Sequence, residues 1–164
     1  MAPVKTDLYL SVLTGGMIGK KDWPAFVPSS FQVPANATVT VHVACFDDPD
    51  DMSDASLVKY TKVSGLDDNT VTVQAMPDGA PNTLGTAQKS AQLDPKTGVS
   101  HTMTFGDLGI NVPIAGHAWT TFTMKTGAAG SHTYECKVPC GTGPDGNQGA
   151  MVTDGYMNGT MTIV

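Results

Sequence analysis

Residues 38–45, TVTVHVAC, alternate strictly between two kinds of side chain. Val39, Val41 and Val43 occupy one set of positions, and threonine or histidine fills the positions between them. Because successive side chains of a β-strand point to opposite faces, this alternation predicts a strand with one buried face. Valine and threonine are also the residue types that such a pleated, half-buried surface favours.

The same alternation recurs along the chain, with turn-forming residues between the runs. No stretch of convincing length has the spacing of an amphipathic helix, and the 18 glycines and 11 prolines indicate many turns. We therefore predict an all-β sandwich in one domain, residues 1–164, with a long loop insertion at about 76–97 that contains a short helix or an edge hairpin around 84–92. The further strand candidates are Leu8–Val12, Val71–Val73, Val99–Phe105, Ala118–Met124, His132–Cys136 and Met161–Ile163.

Charge and composition exclude several classes of function. The chain of 164 residues carries a formal charge of −6, which disfavours nucleic acid and anionic membranes as partners. It has no apolar run near the roughly 20 residues of a membrane-spanning helix. Its start does not resemble a signal peptide, which fits either a cytosolic protein or a mature exported chain without its signal. No nucleophile–base pair or carboxylate pair suggests an enzyme.

Potential metal ligands concentrate near the C-terminus. A predicted strand ends at Cys136, Cys140 follows, and a glycine-rich loop leads to Met151. Thiolate and thioether ligands favour copper, and imidazole completes such a set. His101 is the natural imidazole, because it shares an inward face with Val99, Met103 and Phe105 and its strand is predicted to lie beside that of Cys136.

These segments resemble the cupredoxin family, and most closely the copper-binding domain of cytochrome c oxidase subunit II and its small exported relatives. The likeness is carried by HTMTF at 101–105, LGI at 108–110 and YECKVPCG at 134–141. The resemblance implies a Greek-key β-sandwich or barrel, bound copper and electron transfer with a redox partner protein. It also implies a location on the extracellular or periplasmic side of the membrane. The expected docking rim is formed by residues 151–157 and a loop at 106–115.

The chain departs from the family's dinuclear copper pattern. The positions of its last histidine and methionine fall on Pro144 and Asn147, and no histidine follows His132. We therefore predict a mononuclear site. Its expected ligands are His101, Cys136, Met151 and one of Cys140, Cys45 or a backbone carbonyl.

The cysteines allow other interpretations. Cys45 is in phase with Val43 and faces inward, as a ligand, a neighbour of the thiolate, a disulfide partner or a buried apolar residue. Cys136 and Cys140 are close enough in sequence to form a disulfide in an oxidising compartment. The alternatives to electron transfer are thus a metal-free binding or structural module and a copper-delivery protein.

Other candidate residues have simpler interpretations. His132 lies four residues before Cys136, about 13 Å along a strand, and is expected to bond to backbone. The acidic run 47–54 lacks the pattern of an EF-hand and favours a solvated turn over a calcium site. Outward-facing positions are expected for His42 and His117, core positions for Met103, Met124 and Met161, and either role for Met157.

Overall fold

Two β-sheets face each other in the computed structural model, which describes residues 4–20, 22–77, 82–139 and 149–164. The six-stranded sheet has the order β2-β1-β4-β9-β5-β6 and the five-stranded sheet the order β3-β11-β10-β7-β8. The elements are β1 (Val4–Leu13), α1 (Gly15–Ile18), β2 (Ala25–Val27), β3 (Phe31–Val33), β4 (Ala37–Cys45), β5 (Val71–Ala75), β6 (Gln88–Ser90), β7 (Val99–Phe105), β8 (Ile110–Ala115), β9 (Ala118–Lys125), β10 (Gly130–Glu135), α2 (Gly149–Val152) and β11 (Asn158–Ile163).

The predicted all-β Greek-key sandwich is confirmed. Every run of alternating residues forms a strand, and the valines of β4 are fully buried. β1 pairs with β4 in parallel over nine residue pairs, and β9 pairs with the other side of β4 in antiparallel orientation. Met103, Met124, Met157 and Met161 are all buried in the core between the sheets. In the described ranges, no helix is long and apolar enough to cross a membrane.

The predicted loop at 106–115 is wrong for residues 110–115. These residues form β8, which pairs with β7 and lies at the edge of its sheet. All six residues of β8 are buried, so the run INVPIA shows no alternation that would reveal a strand. Pro113 is compatible with this strand because β8 has one neighbour within the sheet.

Two short strands, β2 and β3, were not predicted, and a third, β6, falls where a short helix or an edge hairpin was predicted. β2, β3 and β6 have three residues each, too few to display a period. β6 lies within the insertion predicted at 76–97 and pairs with β5, as an edge hairpin around 84–92 would. The extent of the insertion stays a prediction, since residues 78–81 are outside the described ranges.

Residues 50–64, which precede β5, pair with the backbone of β7 and β8 and cover their outer face, where the Asn111 side chain donates to the carbonyls of Tyr60 and Lys62. Asp50 bonds the backbone of Val99, and Ser64 exchanges two backbone hydrogen bonds with Asn111. All seven residues of β7 are buried as a result, including the polar residues on the face turned away from the core. This cover places polar side chains close to the end of β10, where Cys136 lies.

A tyrosine ties β10 to the turn before β3. The Tyr134 hydroxyl donates a 2.6 Å hydrogen bond to the Ser29 carbonyl, and its ring contacts Phe26 edge-on at 5.3 Å. Gly159 makes the close approach of the Ser29 backbone feasible, since a Cβ there would lie 1.7 Å from the Ser29 oxygen. Burial raises the pKa of Tyr134, so its hydroxyl remains a donor.

We expect Tyr134→Phe to lower the free energy of unfolding by about 1–2 kcal/mol, because it leaves a buried carbonyl without its donor. The measurement is urea denaturation of the metal-free protein. Tyr9→Phe is the matched control, since Tyr9 is 62% exposed and its change should stay within about 0.5 kcal/mol. Equal losses in the two variants would contradict the importance of the Tyr134 hydrogen bond.

Candidate metal centre

His101 and Cys136 meet between two adjacent strands of the five-stranded sheet. His101 lies on β7 and Cys136 directly follows β10, and these two strands pair at Glu135 and Thr104. The Nδ1 atom of His101 lies 3.7 Å from the Sγ atom of Cys136. The structure thus brings together the two residues on which the sequence hypothesis depended.

The thiol–imidazole pair is shielded from solvent. His101 is 2% exposed and Cys136 is 1% exposed. The Cys136 sulfur accepts a hydrogen bond from the Thr102 amide at 3.4 Å and lies 3.6 Å from the Val138 carbonyl oxygen. The Cys136 sulfur is therefore held by contacts with protein groups and not by water.

Asp47 fixes the orientation of the imidazole. Its Oδ2 atom lies 2.9 Å from His101 Nε2, so the nitrogen facing Asp47 carries a proton and Nδ1 faces the sulfur. Burial acts to lower the pKa of His101. The hydrogen bond with Asp47 and the contact with Cys136 outweigh burial and raise the pKa of His101 to about 10. Burial likewise opposes ionisation of Asp47, yet its hydrogen bond with His101 keeps the pKa of Asp47 below the ordinary value.

The distance between the two donor atoms fits a shared metal ion. A nitrogen about 2.1 Å and a sulfur about 2.3 Å from a tetrahedral metal would be about 3.6 Å apart. The carboxylate on the far side of the ring is also the arrangement that commonly orients metal-binding histidines. His101 and Cys136 therefore fit as two ligands of one site.

Cys45 lies near this pair but is bonded elsewhere. Its side chain is fully buried, as predicted, and its Sγ atom contacts the Asp47 carbonyl oxygen at 3.9 Å. Burial raises the pKa of Cys45, which favours the neutral thiol. Its role as a metal ligand stays a prediction.

Of the remaining predicted ligands, the structure describes Met151. Cys140 lies outside the described residues. Met151 is on α2 and partly exposed, and it lines a cavity of about 590 Å³ together with Thr104 and Glu135. Within residues 4–20, 22–77, 82–139 and 149–164, no three His, Cys, Asp or Glu side chains cluster as a metal site.

The other three histidines each face an aspartate. His132 Nδ1 lies 2.6 Å from Asp107, a carboxylate partner in place of the expected backbone group. His42 lies on the outer face of β4 beside Asp7, and His117 is in the turn between β8 and β9 beside Asp48. None of these contacts reaches Cys136, so His101 is the histidine that the fold brings to the thiol.

The acidic run 47–54 contains a residue of the candidate site that the sequence did not reveal. Asp47 bonds His101, whereas Asp51 and Asp54 bond the neighbouring Ser53 and Ser56 as in solvated turns. The run lacks a local signal that separates Asp47 from the other aspartates. Its position two residues beyond the inward-facing Cys45 is the one hint that it reaches the same end of the sandwich.

Comparison with known proteins gives similarity in structure alone. No protein-family model matches the sequence, and no curated protein matches it significantly. Twenty-eight chains of solved structures match.

Those matches include cupredoxins. Auracyanin A, described as a "blue" copper protein of Chloroflexus aurantiacus, is 15% identical, with coverage of 98% of this chain and 99% of that chain and a TM-score of 0.44. Reduced rusticyanin is 12% identical, with coverage of 100% and 82% and a TM-score of 0.39. A multicopper oxidase of Campylobacter jejuni is 13% identical, with coverage of 99% and 30% and a TM-score of 0.42.

Similarity at these TM-scores does not support a metal site in this chain. The support for one comes from the arrangement of the site's own atoms. The narrower resemblance to cytochrome c oxidase subunit II stays a prediction. So does the absence of enzymatic activity.

We expect Asp47→Asn to destabilise the metal-free protein in a pH-dependent way. The pKa of His101 is about 10 in the folded protein and 6.5 ordinarily, so proton binding stabilises the fold fully below pH 6.5. That stabilisation is lost as the pH rises toward 10. The deficit of the variant should be about 1–3 kcal/mol at pH 6 and shrink toward pH 10.

Urea denaturation at pH 6, 8 and 10 measures this deficit. Asp48→Asn is the control, because Asp48 is 86% exposed beside His117, and it should change stability by less than about 0.5 kcal/mol. A deficit that is absent, or that is constant across this pH range, would contradict the assigned role of Asp47.

Proposed function

We propose that the chain binds one copper ion through His101 Nδ1 and Cys136 Sγ and transfers single electrons. The observation that supports the proposal is the 3.7 Å separation of these two buried donor atoms. A thiolate and an imidazole are both suitable ligands for copper. When bound, copper would supply a one-electron couple between its +1 and +2 states.

The chain's own residues hold the donors in place. Asp47 keeps the imidazole turned so that Nδ1 faces the sulfur, and the Thr102 amide directs a proton toward the sulfur. The core around both groups excludes water, since neither His101 nor Cys136 is more than 2% exposed. A site fixed in this way changes little when an electron arrives or leaves, and its hydrogen bonds influence the reduction potential.

Met151 is our candidate for a third ligand, with Cys140 as the alternative. Hydrogen bonds fix the backbone of α2 at Met151, because the Asn158 side chain donates at 3.0 Å to the carbonyls of Met151 and Thr153. The Cys136 amide in turn donates to the Met157 carbonyl at 2.9 Å. The start of β11 thus connects the Met151 segment with the turn that carries the thiol.

The redox partner and the cellular location remain parts of this proposal. Three carboxylates, Asp107, Glu135 and Asp154, line the 590 Å³ cavity beside Met151. These carboxylates, together with the net charge of −6 of the whole chain, suit a partner with basic side chains. We further propose that the protein acts on the extracellular or periplasmic side of the membrane.

A second candidate function is the holding or delivery of Cu(I). The sequence has no histidine after His132, so the C-terminal part of the site offers sulfur rather than imidazole. Thiolate and thioether ligands are soft and suit Cu(I). This function would give tight binding of Cu(I) without an intense visible band. The metal-free module predicts binding of neither oxidation state.

We expect the reduced protein to take up about one equivalent of Cu(II) and to develop an intense visible band. The band arises from sulfur-to-copper charge transfer, so Cys136→Ser should abolish it and His101→Ala should shift or abolish it. Metal analysis after dialysis and an absorption spectrum measure both effects. His132→Ala is the matched control and should leave the spectrum unchanged, because His132 bonds Asp107.

Each outcome selects one function. Copper in a 1:1 ratio with the band supports electron transfer. Tight 1:1 binding of separately added Cu(I), with no intense band after addition of Cu(II), supports delivery. No retained copper from either addition contradicts both functions and leaves the metal-free module.

We expect Met151→Leu to weaken copper binding at least tenfold, because it removes a sulfur donor and retains the size of the side chain. Competition with a chromophoric chelator measures the dissociation constant. Met157→Leu is the control, since Met157 is fully buried in the core and should leave the constant nearly unchanged. If Cys140→Ser weakens binding and Met151→Leu does not, the third ligand is Cys140.

A further inference from the structure

A line of buried polar groups leads from the Cys136 turn to the segment that covers β7 and β8. Thr102 is fully buried, and Thr104 and Asn111 are 8% and 7% exposed. The Lys137 amide lies 2.9 Å from Thr102 Oγ1, which lies 2.9 Å from Thr104 Oγ1. Thr104 Oγ1 lies 2.7 Å from Asn111 Oδ1.

All the hydrogen bonds in this line donate in the same direction. Asn111 Nδ2 donates to the carbonyls of Tyr60 at 3.0 Å and Lys62 at 2.7 Å, so the Asn111 oxygen must face Thr104. The Thr104 hydroxyl has one proton, which it therefore donates to the Asn111 oxygen. Thr102 must therefore donate to Thr104, and its oxygen is left to accept from the Lys137 amide.

The order of donation is thus Lys137 amide, Thr102 hydroxyl, Thr104 hydroxyl and Asn111 oxygen. Hydrogen bonds arranged head to tail polarise one another, so removal of one link weakens the others. Among the described residues, no buried side-chain nitrogen or oxygen lacks a partner, which shows that the line is complete.

One end of this line lies at the Cys136 thiol. Its first donor is the amide that directly follows Cys136, and Thr102 also gives its own backbone amide to Cys136 Sγ at 3.4 Å. The other end is anchored to the backbone of Tyr60 and Lys62, in the segment that covers the sheet.

We propose that Thr104 and Asn111 are positioning residues for the Cys136 thiol, acting through this hydrogen-bond chain. The inference rests on the copper function proposed above, and it adds two residues that do not touch the thiol. Loss of the Thr104 hydroxyl would interrupt this series of hydrogen bonds. The Thr102 hydroxyl, and the Lys137 amide that donates to it, would then be held less firmly. The amide–sulfur hydrogen bond would then weaken, which favours the oxidised form of a copper–thiolate site.

The test compares Thr104→Val, which replaces the hydroxyl by a methyl group, with Thr104→Ser, which retains the hydroxyl. The control is Thr120→Val, because Thr120 is also fully buried and its hydroxyl accepts from the Ala115 amide. The first readout is hydrogen exchange of the Lys137 amide in the metal-free protein, followed by NMR. The second is the ratio of oxidised to reduced copper at one fixed solution potential.

We expect Thr104→Val to exchange the Lys137 amide at least threefold faster and to raise the ratio of oxidised to reduced copper about three- to tenfold. Thr104→Ser should restore both values, and Thr120→Val should leave both unchanged. Copper binding with both readouts unchanged in Thr104→Val would overturn the inference and leave the proposed function intact. Failure of the wild type to bind copper would refute the proposed function, and the exchange rates alone would then decide the positioning role.

Discussion

The hydrogen bond between Asp47 and His101 is the contact on which the proposed site depends. A buried imidazole can turn either nitrogen to its neighbours, and the carboxylate selects the arrangement in which Nδ1 faces the Cys136 sulfur. The two groups come from distant parts of the chain, the loop after β4 and the middle of β7. The site therefore exists only when the two sheets have closed upon each other.

The fold could be predicted largely from local pattern. β4, β7 and β9 each have a buried face in contact with the core, and a two-residue period records that burial directly in the sequence. β8 could not be found in this way, because the covering segment buries its second face and removes the polar half of the pattern. The same covering segment explains why the threonines of β7 are buried, although their positions in the alternation place them on the face turned away from the core.

The sequence predicted the pair of His101 and Cys136, but it did not predict the hydrogen-bond network around them. His101 and Cys136 could be proposed because inward parity and soft-ligand chemistry are both visible in the sequence. Asp47, Thr104 and Asn111 carry no such signal, since each acts through hydrogen bonds that only the folded chain creates. Cys140 and the contribution of Met151 remain sequence predictions, because the segment between them lies outside the described residues.

The most direct test of the central claim is X-ray absorption at the copper K edge of the copper-loaded wild-type chain. We predict a nearest shell that contains a sulfur atom, together with the outer-shell scattering of an imidazole ring. The sulfur contribution should be lost or reduced in a loaded Cys136→Ser sample. A nearest shell of oxygen and nitrogen alone in the wild type would contradict the account.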